Sequence, residues 1–291
     1  MPVPIALEPG ASLWSDAWKR LRKNRMAVIS GLVLLVVALL VVSAPILPGV
    51  PDPNRQDLEL GAVPPSPGHP MGTDILGRDL LARVLYGGQI SLLVGLVATL
   101  VSFLIGVTWG AVAGYFGGRL DNLMMRFVDV LYSLPYMFLV ILLLVFFSRS
   151  IVMLFVALGA VQWLTMARIV RGQVLSLKHR EFVEAARAIG TSHAGIIFRH
   201  LIPNALGPII VYATLTVPAV MLQEAFLSFL GLGVQPPDAS WGVLVNEGAS
   251  VMGLFPWLVI FPGFALALTL FCLNFLGDGL RDALDPHLRK E

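Results

Sequence analysis

Cysteine is almost missing: Cys272 stands alone among 291 residues, so no internal disulfide can staple the fold and no cysteine-rich zinc site can form. Charge is scarce as well. Only 13% of the residues are Asp, Glu, Lys or Arg, about half the share usual in soluble domains. The five histidines, His69, His179, His193, His200 and His287, form no His-Glu-x-x-His pair, which argues against metal catalysis. No Gly-x-Ser-x-Gly elbow is present, and the apolar stretches offer no Ser, His and Asp set for an intramembrane hydrolase. A net charge of only +2 gives no case for nucleic-acid binding. What abounds is apolar: 57% of the residues are hydrophobic, with a mean hydropathy of +0.82. That composition excludes a soluble globule and a disordered chain, and leaves a protein dissolved in lipid.

Reading from charge to charge gives six long uncharged runs: 26–51, 84–118, 130–148, 150–167, 201–223 and 248–277. Each approaches or exceeds the roughly 20 residues a helix needs to cross the hydrocarbon core, the third beginning near Leu123. The first run is far longer than the apolar core of a signal peptide and is expected to stay as an anchor. Basic residues then set the orientation, because they concentrate in short cytoplasmic segments. Lys19, Arg20, Arg22, Lys23, Arg25, Arg119, Arg126, Arg168, Arg171, Lys178, Arg180, Arg187, Arg199, Arg281, Arg289 and Lys290 fall on one side, and only Arg55, Arg78, Arg83 and Arg149 on the other. Both termini are therefore expected in the cytoplasm. The resulting plan is an inner tail 1–25, a first span 26–47, an outer loop 48–88, a five-helix core 89–277 and an inner tail 278–291. The core contains an inner loop 168–200 and an outer loop 231–255.

Gly72-Thr-Asp-Ile-Leu-Gly77-Arg78-Asp79 has the glycine spacing of a phosphate-binding loop, but Arg78 and Asp79 occupy the positions where Lys and Ser or Thr are needed. The aspartate would repel phosphate, so this chain has no nucleotide site, and ATP, if used, binds to another chain. In the inner loop, Glu181 to Ile189 has high helix propensity with one apolar stripe, and Gly190 stands where a left-handed cap belongs. Thr191 or Ser192 can cap the next helix. Such a knob suits either the headgroup surface or a protein partner. Gly106, Gly110, Gly114 and Gly118 recur every four residues, a small-residue face for close helix packing. Glu224, ionisable at membrane depth, is a candidate pathway residue or a hydrogen-bonding partner for a neighbouring helix. Asp129 is expected to pair with Arg126 at i, i+3, and Trp241 and Trp257 to anchor at the interface.

Glu184-Ala185-Ala186, then Gly190, then His200-Leu201-Ile202-Pro203 resembles the EAA signature of the membrane subunits of ATP-binding-cassette importers, with His200 and Ile202 where the usual form has Ile and Leu. Further pieces are similar to the peptide branch of that family: His69-Pro-Met-Gly-Thr-Asp74, Gly114-Tyr-Phe-Gly-Gly118, Leu227 to Gly233 with Gln235-Pro-Pro237, Ser240-Trp241-Gly242 and Gly277 to Pro286. Together they look most like the C-type permease subunit of oligopeptide importers. The resemblance implies an all-α, six-span permease of the type I importer fold, without catalytic or metal-binding residues. It also implies a homologous second permease, two ATPases carrying ATP and Mg, and an extracytoplasmic peptide-binding protein. Dipeptides or nickel chelates are the alternative cargo, and a self-sufficient secondary transporter is the competing class. Glu184, Ala185, Ala186 and Gly190 carry over as the residues that couple to the ATPase.

Overall fold

A computed structural model describes residues 13–147 and 150–284. Arg149, Pro286, His287, Arg289 and Lys290, used above, lie outside them. Every element among the described residues is helical, apart from two isolated β-bridges. The amphipathic α1 (Leu13–Lys23) occupies what the sequence reads as a plain tail. Asn24 then caps α2 (Arg25–Ser43), its side chain accepting from the Ala27 N–H, and a 3₁₀ turn extends the apolar rod to Ile46. Next come α3 (Leu80–Phe116), α4 (Gly118–Ser133), α5 (Tyr136–Phe147), α6 (Ile151–Leu177) and α7 (Glu181–Ala188). The short α8 (His193–Gly195) runs through a π-helical stretch, Ile196–Leu201, into α9 (Ile202–Phe229), and α10 (Trp241–Ala249) and α11 (Trp257–Leu284) complete the chain.

Among the described residues, five helical segments are long and apolar enough to cross a bilayer: 25–46, 80–116, 151–177, 193–229 and 257–284. The expected third span is not one rod. It is the pair α4 and α5, bent by 84°, which makes a sixth span only when the two are counted together. Pro135 is the cause, since its ring disfavours helical geometry at Leu134, which sits at φ −77° and ψ 137°. The loops also shrink. The helix α3 starts at Leu80 inside the expected outer loop, helices α6 and α8 consume both ends of the expected inner loop, and α11 continues into the expected tail.

Helices α3 and α6 pack along their length through glycines. A Cβ on Gly106 would lie 2.6 Å from the Met166 Cβ, one on Gly110 would strike the Ala167 carbonyl, and one on Gly114 would come within 3.0 Å of the Arg171 carbonyl. Gly159 answers from α6, facing Val101 at 2.9 Å. The fourth member of the stripe departs from the expectation: Gly118 meets nothing within 4 Å and has φ +57°, so it turns the chain between α3 and α4. The remaining long helices surround this pair, α9 against α3 and α6, and α11 against α2, α9 and α10.

Candidate functional site

Two ends of the bundle concentrate the polar chemistry. At the end bearing most of the basic residues, α7 sits on the tips of the spans. Val183 and Ala186 point inward and join a buried cluster with Tyr115, Val174, Ile197 and Leu201, while Glu184, Ala185 and Arg187 face outward. Ala186, one of the residues expected to couple, is 3% exposed and packs into this cluster, beneath the exposed Glu184 and Ala185. Gly190 has φ +80°. Its N–H donates to the Arg187 carbonyl at 3.0 Å, and the Thr191 N–H reaches back to the Ala186 carbonyl at 3.0 Å, the paired bonds of a Schellman cap. The Ser192 side chain then accepts from the Gly195 N–H and starts the next helix. Pro203 cannot donate to Arg199 and its ring crowds that carbonyl, and the wider π turns occur immediately before it.

The knob is fastened by contacts that local pattern reading missed. The Tyr115 hydroxyl and His193 Nδ1 lie 2.7 Å apart, with Arg187 5.7 Å above the Tyr115 ring. Lys178 Nζ donates to the Gly114 carbonyl at 3.0 Å, occupying a free acceptor at the end of α3. Arg171 grips Asp121 with two bonds of 2.6 and 2.7 Å. Asp129 pairs with Arg168 at 2.8 Å across helices, not with Arg126, and Arg168 also lies 4.1 Å over the Tyr132 ring. The signal was available in spacing: Asp121 and Asp129, eight apart on one helix, share a face, as do Arg168 and Arg171, three apart on another. The bidentate pair around the buried Asp121 carries more energy than the exposed Asp129 pair, which is worth about 0–1 kcal/mol.

At the opposite end, the stretch that mimics a phosphate loop forms an ionic clasp. Asp74 Oδ1 accepts from the Leu76 and Arg78 N–H groups, and its Oδ2 takes the Arg78 guanidinium at 2.6 Å. Arg83, 2% exposed, lies 3.7 Å from Asp74 and 3.0 Å from Glu247 on α10. His69 meets Asp79 at 2.8 Å, and Asp79 caps α3 through the Ala82 N–H. Trp241 is not an interfacial anchor, since it is 1% exposed and its indole donates to the Val84 carbonyl, whereas the Trp257 indole donates to Thr73 in the outer loop.

Glu224 is fully buried and ties helices together. Its Oε1 accepts from Ser228 at 2.7 Å and from Ser240, the residue capping α10, at 2.6 Å. The geometry fits the helix-tying alternative, and Oε2 has no hydrogen-bond partner among the described residues. No group of three or more potential metal ligands occurs among the described residues.

Comparison with known proteins gives two family matches. Residues 106–290 match the family described as binding-protein-dependent transport system inner membrane component, and residues 12–65 match the N-terminal TM domain of oligopeptide transport permease C. The oligopeptide transport system permease protein OppC of Haemophilus influenzae is 52% identical across 95% of this chain and 89% of its own length. The dipeptide transport system permease protein DppC of Bacillus subtilis is 49% identical across 97% of this chain and 88% of its own. The same fold occurs in the inward-facing MetNI methionine ABC transporter, at a TM-score of 0.58 and 19% identity over 69% of this chain and 96% of that one. An all-helical bundle with this knob, matched over most of its length, belongs to the family of binding-protein-dependent transport system inner membrane components, the multi-pass permease subunits of ATP-binding-cassette importers.

Proposed function

We propose that the chain is one of two homologous permease subunits in a complex that imports oligopeptides, powered by a pair of ATPases that hold ATP and Mg and supplied by an extracytoplasmic peptide-binding protein. The observation that carries the cargo is 52% identity, over 95% of the chain, to the Haemophilus influenzae oligopeptide permease. A dipeptide cargo is the second reading, favoured by the 49% identity to the Bacillus subtilis dipeptide permease. The chain itself performs no chemistry. Glu184, Ala185 and Gly190, with the exposed Ile189 and Phe198, form the face offered to an ATPase. ATP-driven closure of the ATPases drives transport by favouring one packing of the spans over another, through contacts made at this face.

Reconstituted in vesicles with its partners, the complex is expected to hydrolyse ATP faster when peptide-loaded binding protein is added and to accumulate peptide. The isolated chain is expected to bind no ATP. Stoichiometric ATP binding by the isolated chain, or hydrolysis indifferent to the loaded binding protein, refutes this reading.

The basic end, with both termini, faces the cytoplasm in this reading. With Cys272 replaced, single cysteines at the exposed Ser66 and Ser250 should react with an impermeant thiol reagent in intact cells, and one at the exposed Ser192 only after permeabilisation. Ser240, in the expected outer loop, is fully buried and is unsuited to such labelling. Reaction at Ser192 in intact cells reverses the orientation.

A further inference from the structure

The break between α4 and α5 opens a chamber of about 440 Å³, lined by Tyr132, Ser133, Tyr136, Gln162, Thr165 and Gln223 together with apolar residues. None of the described residues lining it is charged. Ser133 also lines a second, wider recess of about 890 Å³ at the basic end, bounded by Arg126, Asp129, Arg168 and Arg171. The two cavities thus meet at Ser133, an uncharged chamber with a largely apolar wall beside a charged recess. Gln162 lies six residues along α6 from Arg168, about 9 Å deeper into the bundle at the rise of a helix.

Two independent features make this chamber unusual for a lipid environment. Interrupted helical backbone is tolerated at membrane depth only where it is buried in protein or lines a cavity, and Leu134–Pro135 interrupts this span. Facing it, Gln162 Nε2 donates to Gln223 Oε1 at 2.9 Å across α6 and α9. A primary amide carries two donors and an acceptor with two lone pairs, so this single bond occupies only part of the capacity of either residue.

Polar groups of this kind match the main chain of a peptide. Each peptide N–H and C=O that leaves water unpaired costs several kcal/mol in an apolar setting, so a passage for peptides has to offer neutral donors and acceptors. Charged walls would hold back peptides of one sign. We propose that this chamber is a station for the peptide main chain, in which the amides of Gln162 and Gln223 hydrogen-bond a passing peptide bond and the rings of Tyr132 and Tyr136 flank it; the proposal rests on the peptide-importer reading above. Its volume falls within the ordinary range for small-molecule sites, about 300–1,000 Å³.

The test uses the assembled complex in vesicles and two pentapeptides that differ only by N-methylation of one central peptide bond. Each is preloaded on the binding protein, so that differences in capture cancel. Wild type is expected to import the N-methylated peptide about tenfold more slowly, the effect of one lost buried hydrogen bond. In Gln162→Leu/Gln223→Leu, import of the plain peptide should fall about tenfold and the two rates should become nearly equal. A variant that keeps wild-type import, or the wild-type ratio between the peptides, overturns the proposal. A photoreactive plain peptide turned over by the wild-type complex gives a second reading that does not depend on the variant assembling. It is expected to label 131–136 or 160–165, and labelling confined to other segments, or labelling of these by a photoreactive fatty acid in place of the peptide, also overturns it. A wild-type complex that imports no peptide at all refutes the cargo assignment instead.

Discussion

Gly190→Val is expected to reduce peptide uptake about tenfold or more while leaving the spans inserted. The φ of +80° strains a β-branched residue by roughly 1–2 kcal/mol, and relief of that strain moves Gly190 and Thr191 out of the two cap bonds. A clash is not involved, since a Cβ at this position would meet nothing within 4 Å. The loss therefore falls on the shape of the outward face and on docking of the ATPase. Gly190→Asn, which tolerates the left-handed conformation, should retain most activity. Glu184→Ala should be milder still: it removes an exposed charge from the first turn of α7, where a carboxylate stabilises the helix dipole by about 0.3–1 kcal/mol. ATPase co-purification and uptake measured for all three variants give the comparison. Normal uptake in Gly190→Val contradicts the docking role, and equal losses in the Val and Asn variants contradict the backbone explanation.

Asp74→Ala should destabilise the protein by about 3–5 kcal/mol, because it leaves the guanidinium groups of Arg78 and Arg83, both nearly buried, with only Glu247 for compensation. It also deprives two backbone N–H groups of their acceptor. The expected observations are a clear fall in the thermal midpoint of the purified complex and easier proteolysis of the outer loop. Asp74→Asn keeps an oxygen for the backbone donors and should lose less. A midpoint unchanged in Asp74→Ala shows that water compensates the clasp fully.

The apolar runs made the spans legible because lipid imposes a composition that nothing else in the chain shares. Gly190 was legible as a cap because left-handed backbone selects glycine. The broken third span was only half visible: Pro135 stood in the run, yet an apolar tally is blind to a bend. Trp241 misled because the same ring suits an interface or a core, and which one it occupies depends on Gly88, whose missing side chain lets the indole approach. Asp129 was paired wrongly because local spacing finds partners on the same helix, whereas Arg168 is 39 residues away. Gln162 and Gln223 carried no signal on their own, since an amide in an apolar run acquires meaning only from the cavity that faces it.

The 37 residues of α3 contain no proline and are held at both ends, by Asp79 at the first turn and by Lys178 at the last. At 1.5 Å per residue this helix is about 55 Å long, nearly twice the thickness of the hydrocarbon core. It joins the clasp around Asp79 to the knob around Lys178 as one uninterrupted rod. A tilt of about 10° displaces one tip by about 10 Å relative to the other over that length. A rigid rod turns through one angle along its whole length, so a rotation imposed at the knob end would appear at the clasp as a displacement in the opposite direction.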